Sequence, residues 1–275
     1  MIQIRKPSFV AINGRRMAYD EVSPVNPKGT ILLLTGLASK RQGWYKQLDE
    51  FGRYYRTIAL DHRDVGDSDP VSAPYTVRDQ ADDAAAVLKA LGISKAHIVG
   101  ISMGGFISLE LTLRHPEMVD KLVLVSTSGG GLTNVPSSPK LWPAFFRREK
   151  LEVGEQARKT YTRIMGPGYG SSHPEVMADI AQIARYRPFS QAASSRQFRA
   201  VLSHNAASRL NQIRVPTLII HGDKDPLVPI ANGRRLSRKI PGAKMLVYPQ
   251  VGHIPIIERA ADFNRDVLAF LDSGR

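Results

Sequence analysis

The 275-residue chain contains no cysteine. Disulfides, thiolate nucleophiles and cysteine-ligated zinc are therefore excluded. Long apolar runs are also missing, and no window approaches the ~20 residues of a membrane span. The opening MIQIRKPSFV lacks the apolar stretch of a secretory signal. These absences predict a cytoplasmic protein with no stable membrane insertion. Acidic residues are scarce relative to basic ones: 25 Asp and Glu face 38 Lys and Arg, a net charge of +13. The imbalance is local, with 13 Lys and Arg against five Asp and Glu in residues 128–214. Basic residues do not alternate with aromatics and no nucleic-acid motif is present, so no nucleic-acid partner is expected. The surplus has two readings, a solvated basic face or attraction of an acidic ligand. The first is preferred, because net charge speaks of association and not of fold.

What is present is a sheet-and-helix rhythm. The length suits one large α/β domain carrying an insertion, and the 43% apolar content is enough for a sizeable core. Residues 8–22 alternate on either side of Asn13-Gly14 and predict a tight hairpin. Short apolar runs at 30–36, 56–61, 96–100 and 121–126 predict strands. Helical stretches are expected between them, over 44–55, over 76–92 with Thr76 as N-cap and Gly92 as stop, and from 104 to Pro116. Such alternation implies a parallel sheet with helices on both faces. The rhythm breaks after residue 127, and residues 141–211 read as helical with frequent breakers. Strand patterns return at 215–222 and 243–249, and a final helix is expected over 257–273. An interruption of about 80 residues is too long for an ordinary connection.

Between the strand at 96–100 and the next helix stands Gly100-Ile-Ser102-Met-Gly104. An abrupt strand-to-helix turn needs residues without Cβ where backbones crowd, and Gly100 and Gly104 provide them. Ser102 is then pushed into a strained backbone region at a helix N-terminus, its hydroxyl above the sheet. This is the Gly-x-Ser-x-Gly nucleophile elbow. The competing Gly-x-Gly-x-x-Gly dinucleotide fingerprint does not fit the glycine spacing. A serine needs a base, and the base an orienting acid. His253 follows the last predicted strand and reaches the edge where Ser102 emerges. His62 follows a strand at the same edge and is the other candidate base. Asp225, stiffened by Pro226, is the preferred acid, with Asp223 in reserve. Two oxyanion donors are also required. They are assigned to the backbone N–H groups of Met103 and Leu37.

With TGLASKRQGW, ALDHRDVGDSD, VGISMGG, IIHGDKDPLVP and VGHIP in that order, the chain resembles the α/β-hydrolase superfamily over almost its whole length. It is similar to small bacterial ester hydrolases related to aclacinomycin methylesterase and 3-oxoadipate enol-lactonase. The resemblance implies an α/β-hydrolase fold, with a mostly parallel eight-stranded sheet, helices on both faces and a helical cap. The core would comprise 1–127 and 212–275, the cap 128–211. It implies a carboxylic-ester hydrolase using a Ser102–His253–Asp225 triad, with neither metal nor cofactor. The expected partner is a small-molecule ester or lactone, with an anionic substrate as a further hypothesis from the basic insertion. Lactone or enol-lactone opening, carbon–carbon cleavage and perhydrolysis would use the same triad, and a hydrolase-fold ligand receptor is a different class. Trp142, Phe145, Phe146, Tyr161, Met165 and Tyr169 are candidates to line the substrate pocket. Two departures stand out. Thr35-Gly36 replaces the usual His-Gly, leaving the Thr35 hydroxyl to hold the oxyanion loop. Asp64 occupies a usual glycine position, and Arg63 beside it is expected to pair with carboxylates.

Overall fold

The computed structural model describes residues 2–132, 134–137 and 151–274. Eight strands form one sheet in the order β1-β2-β4-β3-β5-β6-β7-β8. They are β1 Ser8–Ile12, β2 Arg15–Val22, β3 Thr30–Leu34, β4 Arg56–Leu60, β5 Ala96–Ile101, β6 Val119–Val125, β7 Thr217–Gly222 and β8 Lys244–Tyr248. From β4 to β8 every neighbouring pair is parallel, and only the pairings of β2 are antiparallel. The β1–β2 turn has Asn13 at φ 48° and Gly14 at φ 74°, the positive values a two-residue hairpin turn requires. The central strands are apolar on both faces because helices cover both.

One face carries α2 Val77–Ala90, α3 Met103–Arg114 and, farther along, α8 Ala231–Lys239. The other carries α1 Leu48–Gly52, the short α9 Pro255–Glu258 and α10 Ala260–Asp272. Thr76 caps α2 reciprocally with Asp79, which explains the sharp start. Two expected helices are interrupted. The stretch 44–55 becomes a 3-10 turn at Arg41–Trp44 followed by α1. Tertiary bonds win over local helix there: the buried Gln47 amide donates to Ile256 O at 2.8 Å and Asn264 Oδ1 at 3.0 Å. The final helix breaks at Arg259 (φ −134°, ψ 44°), where the preceding Glu258 turns its carboxylate back to loop amides.

Between β6 and β7 the described residues form α4 Val153–Ile164, α5 Tyr169–Ser172, α6 Pro174–Arg185 and α7 Gln191–Ser203. Ile164, Met165, Val176, Met177 and Ile180 from this insertion join the apolar cluster on the α10 face. Polar contacts tie it to loops at the carboxyl ends of β3 and β4. Lys40 Nζ donates to Ile183 O and Ala184 O. Asp67 accepts from Tyr186 Oη at 2.6 Å and pairs with Arg187 at 3.1 Å. Asp64 takes a left-handed backbone, at φ 68°, of the kind that glycine adopts most readily. Its carboxylate pairs with Arg196 at 2.7 Å and accepts from Val71 N. The carboxylate at this position therefore anchors the insertion to the loop after β4. Arg63 pairs with Asp83 at 2.5 Å, as expected of it.

Candidate active site

Ser102 stands between β5 and α3 with φ 55° and ψ −119°. A non-glycine residue there is strained by about 1–3 kcal/mol, and the surroundings over-determine it. Ser102 N donates to Val125 O at 2.9 Å, and Thr127 Oγ1 donates to Ser102 O at 2.8 Å. The glycines are sterically required. A Cβ on Gly104 would collide with the backbone of Leu34 and Thr35, and one on Gly100 with Gly104 and Ser108. The helix therefore leaves the sheet at a distance no side chain would permit. This aims the first-turn amides of α3 and the serine at one region.

His253 and Asp225 come from the loops after β8 and β7, and both are buried. His253 Nδ1 donates to Asp225 Oδ2 at 2.8 Å. Asp225 Oδ1 accepts from Leu227 N at 2.9 Å and Val228 N at 2.8 Å. His221 Nε2, which donates to Val228 O at 2.7 Å, lies 3.4 Å from Asp225 Oδ2. Burial alone would raise the Asp225 carboxyl, but the two imidazoles outweigh it and hold the group at about 2. It is a persistent anion at neutral pH, which fixes the proton on His253 Nδ1 and leaves Nε2 an acceptor. Asp223 points elsewhere and accepts from Gln250 N at 2.6 Å. Among the described residues no hydrogen bond joins His253 to Ser102. Such bonds are often long without substrate and tighten when it binds.

The loop after β3 faces the elbow. A Cβ on Gly36 would lie 3.2 Å from Ser102 Cβ. Neither Leu37 N nor Met103 N donates to any described group. The Thr35 hydroxyl donates to Ser39 O at 3.1 Å, holding the loop as expected. His62 Nε2 donates to Thr35 O at 3.1 Å. Burial lowers the His62 imidazole to about 4, so it is a neutral prop for this loop with its nitrogen already committed.

Of the six proposed pocket residues, Trp142, Phe145 and Phe146 lie outside the described residues. Met165 is buried, and its backbone would collide with a Cβ on Gly252, next to His253. Burial raises the Tyr161 hydroxyl, an effect partly offset by the neighbouring Ser39 side chain beside the oxyanion loop. Tyr169 donates to Ile257 O at 3.3 Å and stacks on His173 at 4.0 Å. Two residues at the site escaped the sequence reading. Glu258 accepts from Gly252 N (2.9 Å) and Ile254 N (3.0 Å), either side of His253, and from Gly166 N (2.7 Å) in the insertion. Gln197, from α7, accepts from Ala38 N at 3.0 Å. Neither belongs to a local pattern that would reveal a partner more than a hundred residues away, or a carboxylate turned back along its own helix. Among the described residues no cluster of three His, Cys, Asp or Glu side chains could hold a metal ion. No helix among them is long and apolar enough to cross a membrane.

A family model described as "alpha/beta hydrolase fold" matches residues 29–260. The chain belongs to this alpha/beta hydrolase family. A 2-hydroxy-6-oxononadienedioate/2-hydroxy-6-oxononatrienedioate hydrolase of Burkholderia vietnamiensis is 31% identical, over 93% of this chain and 91% of that protein. A Caulobacter sp. protein whose name provisionally assigns it as the carbamate hydrolase RutD is 29% identical, over 92% and 95%. The crystal structure of an enol-lactonase from Burkholderia xenovorans superposes with a TM-score of 0.83 at 26% identity, covering 96% of this chain and 99% of that one. These relatives share hydrolysis as a reaction type and differ in the bond they break. The alpha/beta hydrolase described here is accordingly a hydrolytic enzyme.

Proposed function

We propose that this alpha/beta hydrolase is a serine hydrolase of carboxylic esters, lactones included, with a Ser102–His253–Asp225 triad. The observation that carries the reading is the 2.8 Å bond from His253 to a buried Asp225 anion, at the sheet edge where the strained Ser102 elbow emerges. His253 Nε2 takes the proton of Ser102 Oγ as the oxygen attacks the acyl carbon. The Leu37 and Met103 amides receive the oxyanion. Protonated His253 releases the alcohol, and the same imidazole activates the water that cleaves the acyl-enzyme. In this reading the insertion caps the site, with Tyr161 and Met165 walling the substrate. Its basic surplus is partly neutralised by the body, because Arg187, Arg196 and Arg209 pair with Asp67, Asp64 and Glu110. This leaves less of the surplus free to attract an anionic substrate.

A second reading, carbon–carbon cleavage beside a carbonyl, is favoured by the name of the 31% identical relative. A panel of nitrophenyl esters, lactones and β-diketones assayed with wild type and Ser102→Ala separates them. The ester reading expects the best kcat/KM among esters or lactones, a loss of at least ~10³-fold in the variant, and an acyl adduct on Ser102 by mass spectrometry. Turnover confined to the diketones would replace it by the second reading. Turnover that survives Ser102→Ala would overturn both.

A further inference from the structure

Among the described residues, every hydrogen bond to the backbone of residues 35–39 comes from the body, with one exception. Thr35 is held by His62, Ser39 by the Thr35 hydroxyl, and Gly36 O accepts from Ser39 N at 3.2 Å. The exception is the peptide between Leu37 and Ala38. Its N–H, on Ala38, donates to Oε1 of Gln197 at 3.0 Å, and Gln197 belongs to the insertion. Ala38 is held at φ 56°, a conformation that costs an alanine roughly 1–2 kcal/mol. Without the Gln197 acceptor that residue would relax, and the Leu37 N–H one peptide away would turn with it. Gln197 is wholly buried, yet among the described residues its Nε2 has no hydrogen-bond partner. An unsatisfied buried donor costs about 1–3 kcal/mol, so an apolar side chain would be the more stable choice if packing were the only demand here.

We infer that Gln197 is a positioning residue for the oxyanion hole: the insertion sets the Leu37 amide through the Gln197–Ala38 bond. The inference rests on the serine-hydrolase reading and adds to it that the insertion shapes catalysis as well as substrate choice. Losing a whole oxyanion donor costs about 10²–10³ in kcat, so displacing one costs less.

The test compares wild type, Gln197→Leu and Gln197→Glu on a short nitrophenyl ester. Gln197→Leu is expected to lower kcat about 10- to 100-fold with KM within about twofold. Phenylboronic acid, which forms a tetrahedral anion on the serine, should weaken by the same factor. Gln197→Glu keeps an oxygen for Ala38 N–H and should retain more kcat than Gln197→Leu, which separates loss of the bond from loss of fold. Equal kcat in Gln197→Leu and wild type, a change in KM alone, or boronate affinity unmoved while kcat falls would each overturn the inference. Those results leave the triad reading intact if Ser102→Ala is inactive, whereas an active Ser102→Ala removes both.

Discussion

Two aspartates two residues apart leave the β7 edge, and they end with different work. Asp223 caps the Gln250 amide in a partly exposed turn, whereas Asp225 is buried, accepts from two backbone amides and His253, and lies 3.4 Å from His221. Only Asp225 sets the histidine tautomer. Asp225→Asn would present an amide N–H to His253 Nδ1, moving the imidazole proton to Nε2, where it cannot accept from Ser102. We expect kcat to fall by ~10⁴ with the fold intact, as such a tautomer change does in a serine triad. Asp223→Asn should stay within a few-fold of wild type. Matched steady-state kinetics and circular dichroism of the two variants decide this, and comparable losses in both would contradict the assignment.

At the scale of elements, the elbow depends on how closely α3 approaches β3. Gly104 is the pinch point, because the atoms its Cβ would strike are backbone and cannot rotate away. Gly104→Ala must push β3 and α3 apart, and overpacking of this kind costs about 1–3 kcal/mol or more. Gly92, unlike Gly104, has positive φ, at 71°, and has open space around it, so Gly92→Ala should cost about 1–2 kcal/mol from conformation alone. Thermal unfolding of the two variants should therefore rank Gly104→Ala clearly below Gly92→Ala, and only the former should lose most activity. The reverse order would mean that the close approach is not what shapes the turn. The same contrast explains what could be read in advance. Strands such as Thr30–Leu34 and Ala96–Ile101, and α2 with its Thr76 cap, are written in local pattern and emerged within a residue or two of expectation. The glycines of the elbow are legible in the same way, and Gly100 and Gly104 show the close packing expected of them. The breaks at Gln47 and Arg259, and the reach of Gln197 and Glu258, depend on contacts that only the assembled tertiary structure creates. Residues 44–55 and 257–273 carry good helical patterns, and tertiary hydrogen bonds override them.

For the molecule as a whole, the buried histidines set an acid limit on stability. His62 under the oxyanion loop and His204, stacked on Phe106 at 4.5 Å, are both lowered to about 4, chiefly by burial. The charges facing His204 partly offset one another: Glu110 raises it, and Arg209 and Arg78 lower it. In the unfolded chain both imidazoles regain their ordinary value of 6.5. A base with a depressed folded value binds its proton more readily when unfolded, so its contribution is complete above 6.5 and is lost as pH falls toward 4. Each shift corresponds to about 3 kcal/mol. Two of them approach the whole stability of a typical domain, about 5–15 kcal/mol. The Asp225 anion adds a second loss only below the ordinary carboxylate range, as pH falls through about 2. Urea unfolding between pH 7.5 and 4.5 should thus show the free energy declining with a slope approaching two protons. His204→Phe keeps the ring stack and removes one titrating group, while Glu110 retains Arg209 at 2.5 Å as its partner. That variant should shed one proton from the slope and gain stability over wild type at pH 5 relative to pH 7.5. Equal wild-type stability across the range, or an unchanged slope in His204→Phe, would show that these rings do not govern the acid limit.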